Sequence, residues 1–116
     1  MDVQEYLNLL PDDVENIDLI GKQIVELPDL SRFYKLKGLV CSSNGLTCIP
    51  VIPTLEVLNC HNNQLTSIPI IPTLKILDCS FNNLTSIPVL PMLENLDCSH
   101  NQLTIIPIMP KITRMY

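Results

Sequence analysis

Four of the five cysteines, Cys41, Cys60, Cys79 and Cys98, recur every 19 residues, and thiols so ordered could do chemistry. A column of thiolates would serve as a soft metal strip or a redox relay, since thiolate is both metal ligand and nucleophile. The regular phase argues for packing instead. Each of the four stands in a repeating apolar framework, where a free cysteine acts as a small buried hydrophobe and its apolar surroundings blunt its reactivity. Cys48 falls outside the column and is the thiol expected to meet solvent. An odd count at even spacing is also unlike the disulfide framework of a small secreted domain, and it suits a reducing compartment.

The other reactive side chains are few. Asp78 and Asp97 share one repeat position, which puts them on neighbouring strands roughly 5 Å apart, where like charges cost stability. That cost invites a cation or a basic partner; the plainer alternative is that exposed carboxylates are screened and bond loop backbone. His61 and His100 lie two repeats apart and in different columns, roughly 10 Å or more at the strand spacing. Without a third ligand, no zinc site is expected. Phe81, beside Asn62 and His100, is predicted to be exposed, as a binding hot spot or else as a lid over the repeat's asparagine column. No nucleophile–base pair, phosphate loop or metal set is present, so the expectation is a protein that is not an enzyme and uses no cofactor.

The elements that position these groups follow from a repeat. Leu36, Leu55, Leu74 and Leu93 are each 19 residues apart, and Leu39, Leu58, Leu77 and Leu96, then Asn44, Asn63, Asn82 and Asn101, keep step. A period near 20 means a solenoid, in which one unit cannot bury its apolar face and stacking supplies the core. Leu58 and Cys60 around variable Asn59 show the alternation of a short strand with one buried face, so the units should pair as a parallel sheet. The invariant asparagine at the following bend, both donor and acceptor, predicts a hydrogen-bonded ladder between turns. Behind it, Pro50-Val51-Ile52-Pro53 and its counterparts at 69–72, 88–91 and 107–110 exclude a helix and favour extended, polyproline-like backbone. As free peptides these would suggest SH3 ligands, but their fixed phase makes them the back of the coil.

The units run 14–35, 36–54, 55–73, 74–92 and 93–111, with a partial one at 112–116. The first is longer, by the 22-residue offset between Ile24-x-x-Leu27-Pro28 and Leu46-x-x-Ile49-Pro50, and has Lys22 in place of the ladder asparagine. Residues 1–13 read as an amino-terminal cap, with Asp2 starting a short helix through Val3–Leu10 that stops at Pro11.

Composition fits thin identical layers: 47% of residues are apolar, only 4% aromatic, and tryptophan is absent. The net charge of −5 divides into −7 over residues 1–30 and +2 over the remainder, which argues against general nucleic-acid binding. No apolar run is long enough for a membrane span, and residues 1–5 lack the basic and apolar parts of a secretory signal. The expectation is a soluble intracellular protein.

Leu55-x-x-Leu58-x-Cys60-x-x-Asn63-x-Leu65 resembles the conserved half of a leucine-rich repeat, and the likeness covers residues 14–116. Ile68-Pro69-x-Ile71-Pro72 is similar to the short proline-bearing units of bacterial effector repeats, and Cys60 with Thr66-x-Ile68-Pro69 behind it resembles compact repeat proteins of giant DNA viruses of amoebae. The resemblance implies an α/β-type solenoid dominated by β, curved so that its concave parallel sheet binds a protein partner. A viral origin would place it in host cytoplasm or a virion. Effectors of this kind can carry a ubiquitin-ligase domain, for which 116 residues leave no room, so no such activity is expected.

The exposed strand-side columns are position 3, position 5 (Asp18, Val40, Asn59, Asp78, Asp97, Tyr116), position 7 (Ile20, Ser42, His61, Ser80, Ser99) and position 8 (Gly21, Ser43, Asn62, Phe81, His100). They vary inside an invariant frame. The expected partner-binding residues are Asn59, His61, Asn62, Asp78, Phe81, Asp97 and His100. The last layer carries Ile105, Ile106, Ile108 and Met109 near solvent, and Ile112, Arg114, Met115 and Tyr116 begin a strand with an open edge. These residues predict self-association as an end-to-end dimer. A structural or assembly role, as in a virion component, is the rival to partner capture.

Overall fold

The computed structural model describes residues 2–116. Six short strands, β1 (Asn16–Asp18), β2 (Gly38–Val40), β3 (Val57–Asn59), β4 (Ile76–Asp78), β5 (Asn95–Asp97) and β6 (Arg114–Met115), form one parallel sheet in chain order. Each pairs with the strand one unit on: Ile17 faces Leu39, then Leu58, Leu77, Leu96 and Met115. The step from β1 to β2 is 22 residues and every later one is 19, so unequal units keep one register. The fold is therefore the expected parallel-sheet solenoid of about five turns, with little helix.

Leu36, Leu39, Leu55, Leu58, Leu74 and Leu93 are sealed from solvent, and Cys41, Cys60, Cys79 and Cys98 lie in the same core. On the back, the prolines hold the chain extended and side chains alternate by two. Ile52, Ile71, Leu90 and Met109 point in, while Val51, Ile70, Val89 and Ile108 point out. Thr54 and Thr73 close the turn into the next strand, their hydroxyls donating to Leu36 O at 2.5 Å and Leu55 O at 2.6 Å.

The asparagine column joins the turns. Asn82 Nδ2 donates to Cys60 O (3.1 Å), Cys79 O (3.0 Å) and Ser80 O (3.1 Å), while its Oδ1 accepts from Leu65 N (3.0 Å). Asn63 and Asn101 repeat the pattern, and Asn44 reaches back to Lys22 N and Ile24 N of the first unit. Among the described residues no buried side-chain polar atom lacks a partner.

At the amino end, α1 (Val3–Asn8) begins where Asp2 accepts from Glu5 N at 2.8 Å. The helix ends two residues before the expected Leu10, because Leu9 and Leu10 bond back to Tyr6 O and Leu7 O in a tighter turn before Pro11. Arg32, from the tail of the first unit, clasps this helix. Its guanidinium donates to Leu7 O (2.5 Å), Leu10 O (3.2 Å) and Asp12 Oδ1 (2.6 Å), and packs 4.1 Å from the Phe33 ring centre. A cation that satisfies a helix's last carbonyls also meets the negative end of its dipole.

Asn82→Asp tests the ladder without changing shape. One oxygen would still accept from Leu65 N, but the other would face three carbonyl oxygens with no proton to offer. Urea unfolding should show a loss of about 3 kcal/mol or more, shrinking at low pH as the new carboxyl gains a proton it can donate. A loss under about 1 kcal/mol would reject the ladder as the joint between turns.

Candidate functional site

The residues that vary lie on the outer side of the sheet and on the bend that follows it. Every residue at position 8 has left-handed backbone: Gly21 at φ 60°, Ser43 at 57°, Asn62 at 58°, Phe81 at 55° and His100 at 55°. Glycine adopts this freely; a bulky side chain does so at a cost of about 1 kcal/mol or more. The chain nevertheless holds two rings there. Phe81 and His100 stack, with centres 4.1 Å apart and planes 12° from parallel, and Phe81 stays 53% exposed. Phe81 N donates to Ser99 O at 3.1 Å, so the next turn fixes its backbone.

Position 5 lies beside this stack. Asp78 and Asp97 are in-register neighbours on β4 and β5, both half-buried. Each turns Oδ1 toward the serine two residues on: Ser80 donates from N (3.1 Å) and Oγ (2.6 Å), Ser99 from N (3.1 Å) and Oγ (2.7 Å). Asn59 plays the same part for His61, accepting from its backbone N at 3.3 Å with Nδ1 at 2.6 Å; Asp78 Oδ2 is 3.7 Å from that Nδ1. Asn62 donates to Ser43 Oγ at 3.3 Å.

The structure thus gathers Asn59, His61 and Asp78 into one polar group and Phe81 with His100 into another, while Asp97 joins Ser99. It also corrects position 7, expected at the surface throughout: Ser42 and Ser80 are buried and His61 and Ser99 half-buried, because these side chains are small or turn back to position 5, as Ser80 does to Asp78 and His61 to Asn59. Ile112 is half-buried and packs against the core, and Arg114, Met115 and Tyr116 are exposed.

Two surface columns escaped the reading by motif. Position 2 alternates in sign, Glu15, Lys37, Glu56, Lys75 and Glu94, with ion pairs Lys37–Glu15 (3.9 Å) and Lys75–Glu56 (3.8 Å). Comparing that column along the repeats would have found it. On the back, Val51, Ile70, Val89 and Ile108 form an apolar ridge, Ile108 at 92% exposure. Where the longer first unit leaves the second, Pro28, Tyr34, Val51 and Pro53 line a groove of about 590 Å³ over Leu30, Phe33 and Ile52.

All five cysteines are unpaired, with Cys48 exposed and the others buried. Burial pushes the Cys41 thiol up from 9.0 to about 12. Cys60 and Cys79 are raised well above 9.0, first by burial and then by neighbouring thiols and the carboxylates of position 5, and Cys98 is raised by burial and Asp97.

Family models for leucine-rich repeats match residues 53–92, as two copies, and residues 92–111 as one, together just over half of the chain. The chain belongs to the leucine-rich-repeat family, whose members generally mediate protein–protein interaction and whose repeats are typically not catalytic. One relative is the probable inactive serine/threonine-protein kinase roco10 of Dictyostelium discoideum, 39% identical over 61 residues. That match takes in 49% of this chain and only 2% of the relative's length, so it concerns repeats and not the whole protein.

Raised thiols make the native state sensitive to alkali. Because the folded values lie above the unfolded ones, their stabilisation is complete below about pH 9 and is lost as pH climbs through the folded values, at about 1.4 kcal/mol per unit for each thiol. Thermal midpoints should hold from pH 6 to 8 and fall steeply above pH 9. At pH 8 a thiol reagent should modify Cys48 at once and the other four only as the chain unfolds; rapid modification of a second thiol would refute their burial.

Proposed function

We propose that this chain is a protein-binding module that captures its partner on the strand side, through Asn59, His61, Asn62, Asp78, Phe81, Asp97 and His100. The observation that carries this reading is the Phe81–His100 stack: two rings held on costly backbone and left in solvent, where a core has no use for them. A polar rim of Asn62, Asp78 and Asp97 around an aromatic centre is the usual anatomy of a binding patch. The five unpaired thiols support a reducing, intracellular setting. Affinity capture with the wild-type chain and with Phe81→Ala tests the proposal. The variant should keep its thermal midpoint and bind the recovered partner about 30-fold more weakly, a hot-spot loss of about 2 kcal/mol. Equal binding by the two chains would refute it.

A second reading has its own observation. In the last layer Ile105, Ile106, Ile108, Met115 and Tyr116 are exposed, Ile106 at 37% where its counterpart Ile87 is at 5%. An apolar layer beside an unpaired strand edge favours association, so Ile112, Arg114, Met115 and Tyr116 are proposed to contact a second copy end to end, as an assembly subunit of a virion or other particle would. Sedimentation at tens of micromolar should show dimer that Met115→Glu converts to monomer; a monomeric wild-type chain would end this reading.

A further inference from the structure

The strand-side patch carries features that narrow what it can hold. Stacked face to face, Phe81 and His100 cover one face of each other and can take a further planar group only on an outer face, and ring faces attract planar cations. Three residues earlier on each turn stand Asp78 and Asp97, in register, about 4.8 Å apart at the strand spacing. Their Oδ1 atoms are occupied by Ser80 and Ser99, which fixes both carboxylates and leaves each Oδ2 as the spare acceptor. Among the described residues, the sole basic group within ion-pair distance of either is His61, 3.7 Å from Asp78. The nearby lysines of position 2 are engaged elsewhere, Lys37 with Glu15 and Lys75 with Glu56. Two adjacent negative charges therefore lack a strong counter-charge beside a cation-attracting surface. Exposed Val57 and Ile76, two residues before Asn59 and Asp78, add apolar surface next to them.

We propose that the Phe81–His100 step and the carboxylates of Asp78 and Asp97 form one subsite for an arginine side chain of the protein partner. The guanidinium is planar, always charged, and able to stack on a ring while its edge donates to carboxylates. It would stack on an outer face of the ring pair and donate to the Oδ2 atoms, relieving the repulsion between neighbouring strands. Its methylene stem would cross Val57 and Ile76. A lysine satisfies the charge but neither stacks flat nor donates in a fork, so the subsite favours arginine.

This inference rests on the strand side being the binding face, and the test keeps the two separable. The probes are the capped tripeptides Val-Arg-Val, Val-Lys-Val and Val-citrulline-Val, titrated into the labelled full chain and followed by amide chemical shifts. Citrulline keeps the shape of arginine and lacks its charge. The arginine peptide should move the Ser80, Phe81, Ser99 and His100 amides saturably, at least five-fold more tightly than the lysine peptide, with no saturation by citrulline. Asp78→Asn and Asp97→Asn should each weaken it three-fold or more without lowering the thermal midpoint. The inference is overturned if the arginine peptide leaves those amides unmoved, if citrulline binds as well, or if both variants bind as wild type. Should the peptide fail while Phe81→Ala still abolishes partner capture, the face stands and the arginine subsite falls. Should the peptide bind while Phe81→Ala captures the partner normally, the subsite stands and the proposed partner face falls.

Discussion

The asparagine at each bend is the constraint on which the rest depends. A chain leaving a strand after three residues has carbonyls on the bend, and the preceding turn has an amide, that no sheet can satisfy. One primary amide answers for both: in Asn63, Nδ2 takes the carbonyls of Cys41, Cys60 and His61 while Oδ1 takes Leu46 N. These bonds tie the bends of successive units together, and position 8 of each bend lies in the left-handed region, including Gly21 of the first unit, whose own ladder position is Lys22. The repeat thus supplies an exposed, left-handed position on every turn, while the choice of two rings that stack there belongs to Phe81 and His100 alone among the described residues.

Uniform layers set the choice of core residue. Parallel strands in register bring like side chains into columns, so each column must tolerate its own repetition at the strand spacing. Leucine fills the wide columns, and cysteine, small and apolar when protonated, fills the narrow one behind the strand. The price is a row of neighbouring thiols, each of which makes ionisation of the next harder. The core is consequently inert through the physiological range and vulnerable in alkali.

The two long faces differ in chemistry because they differ in backbone. On the strand side, hydrogen-bonded register places carboxylates, amides and rings at fixed intervals, which suits directional recognition. On the back, proline-held extended segments make no ladder and present Val51, Ile70, Val89 and Ile108 as an apolar ridge. Membership of the leucine-rich-repeat family accounts for the frame shared by both faces. The residues the frame leaves free, Asp78, Phe81, Asp97 and His100 among them, are the ones that distinguish this chain's strand side from the shared repeat.

Sequence alone determined whatever recurs. The 19-residue phase gave the strand register, the buried leucine and cysteine columns and the asparagine ladder, because a stacked repeat turns sequence period directly into spatial neighbourhood. It also gave the alternation on the back, since two prolines leave an extended chain no other pattern. Tertiary structure decided whatever depends on one turn meeting another in three dimensions. That Ser80 folds inward to Asp78 while His61 reaches Asn59, and that Phe81 lies flat on His100, follows from left-handed backbone and local room, which no residue type announces. The Arg32 clasp on α1 was equally hidden, for it joins residues 20 or more apart across two units that share no repeat, where periodicity carries no information.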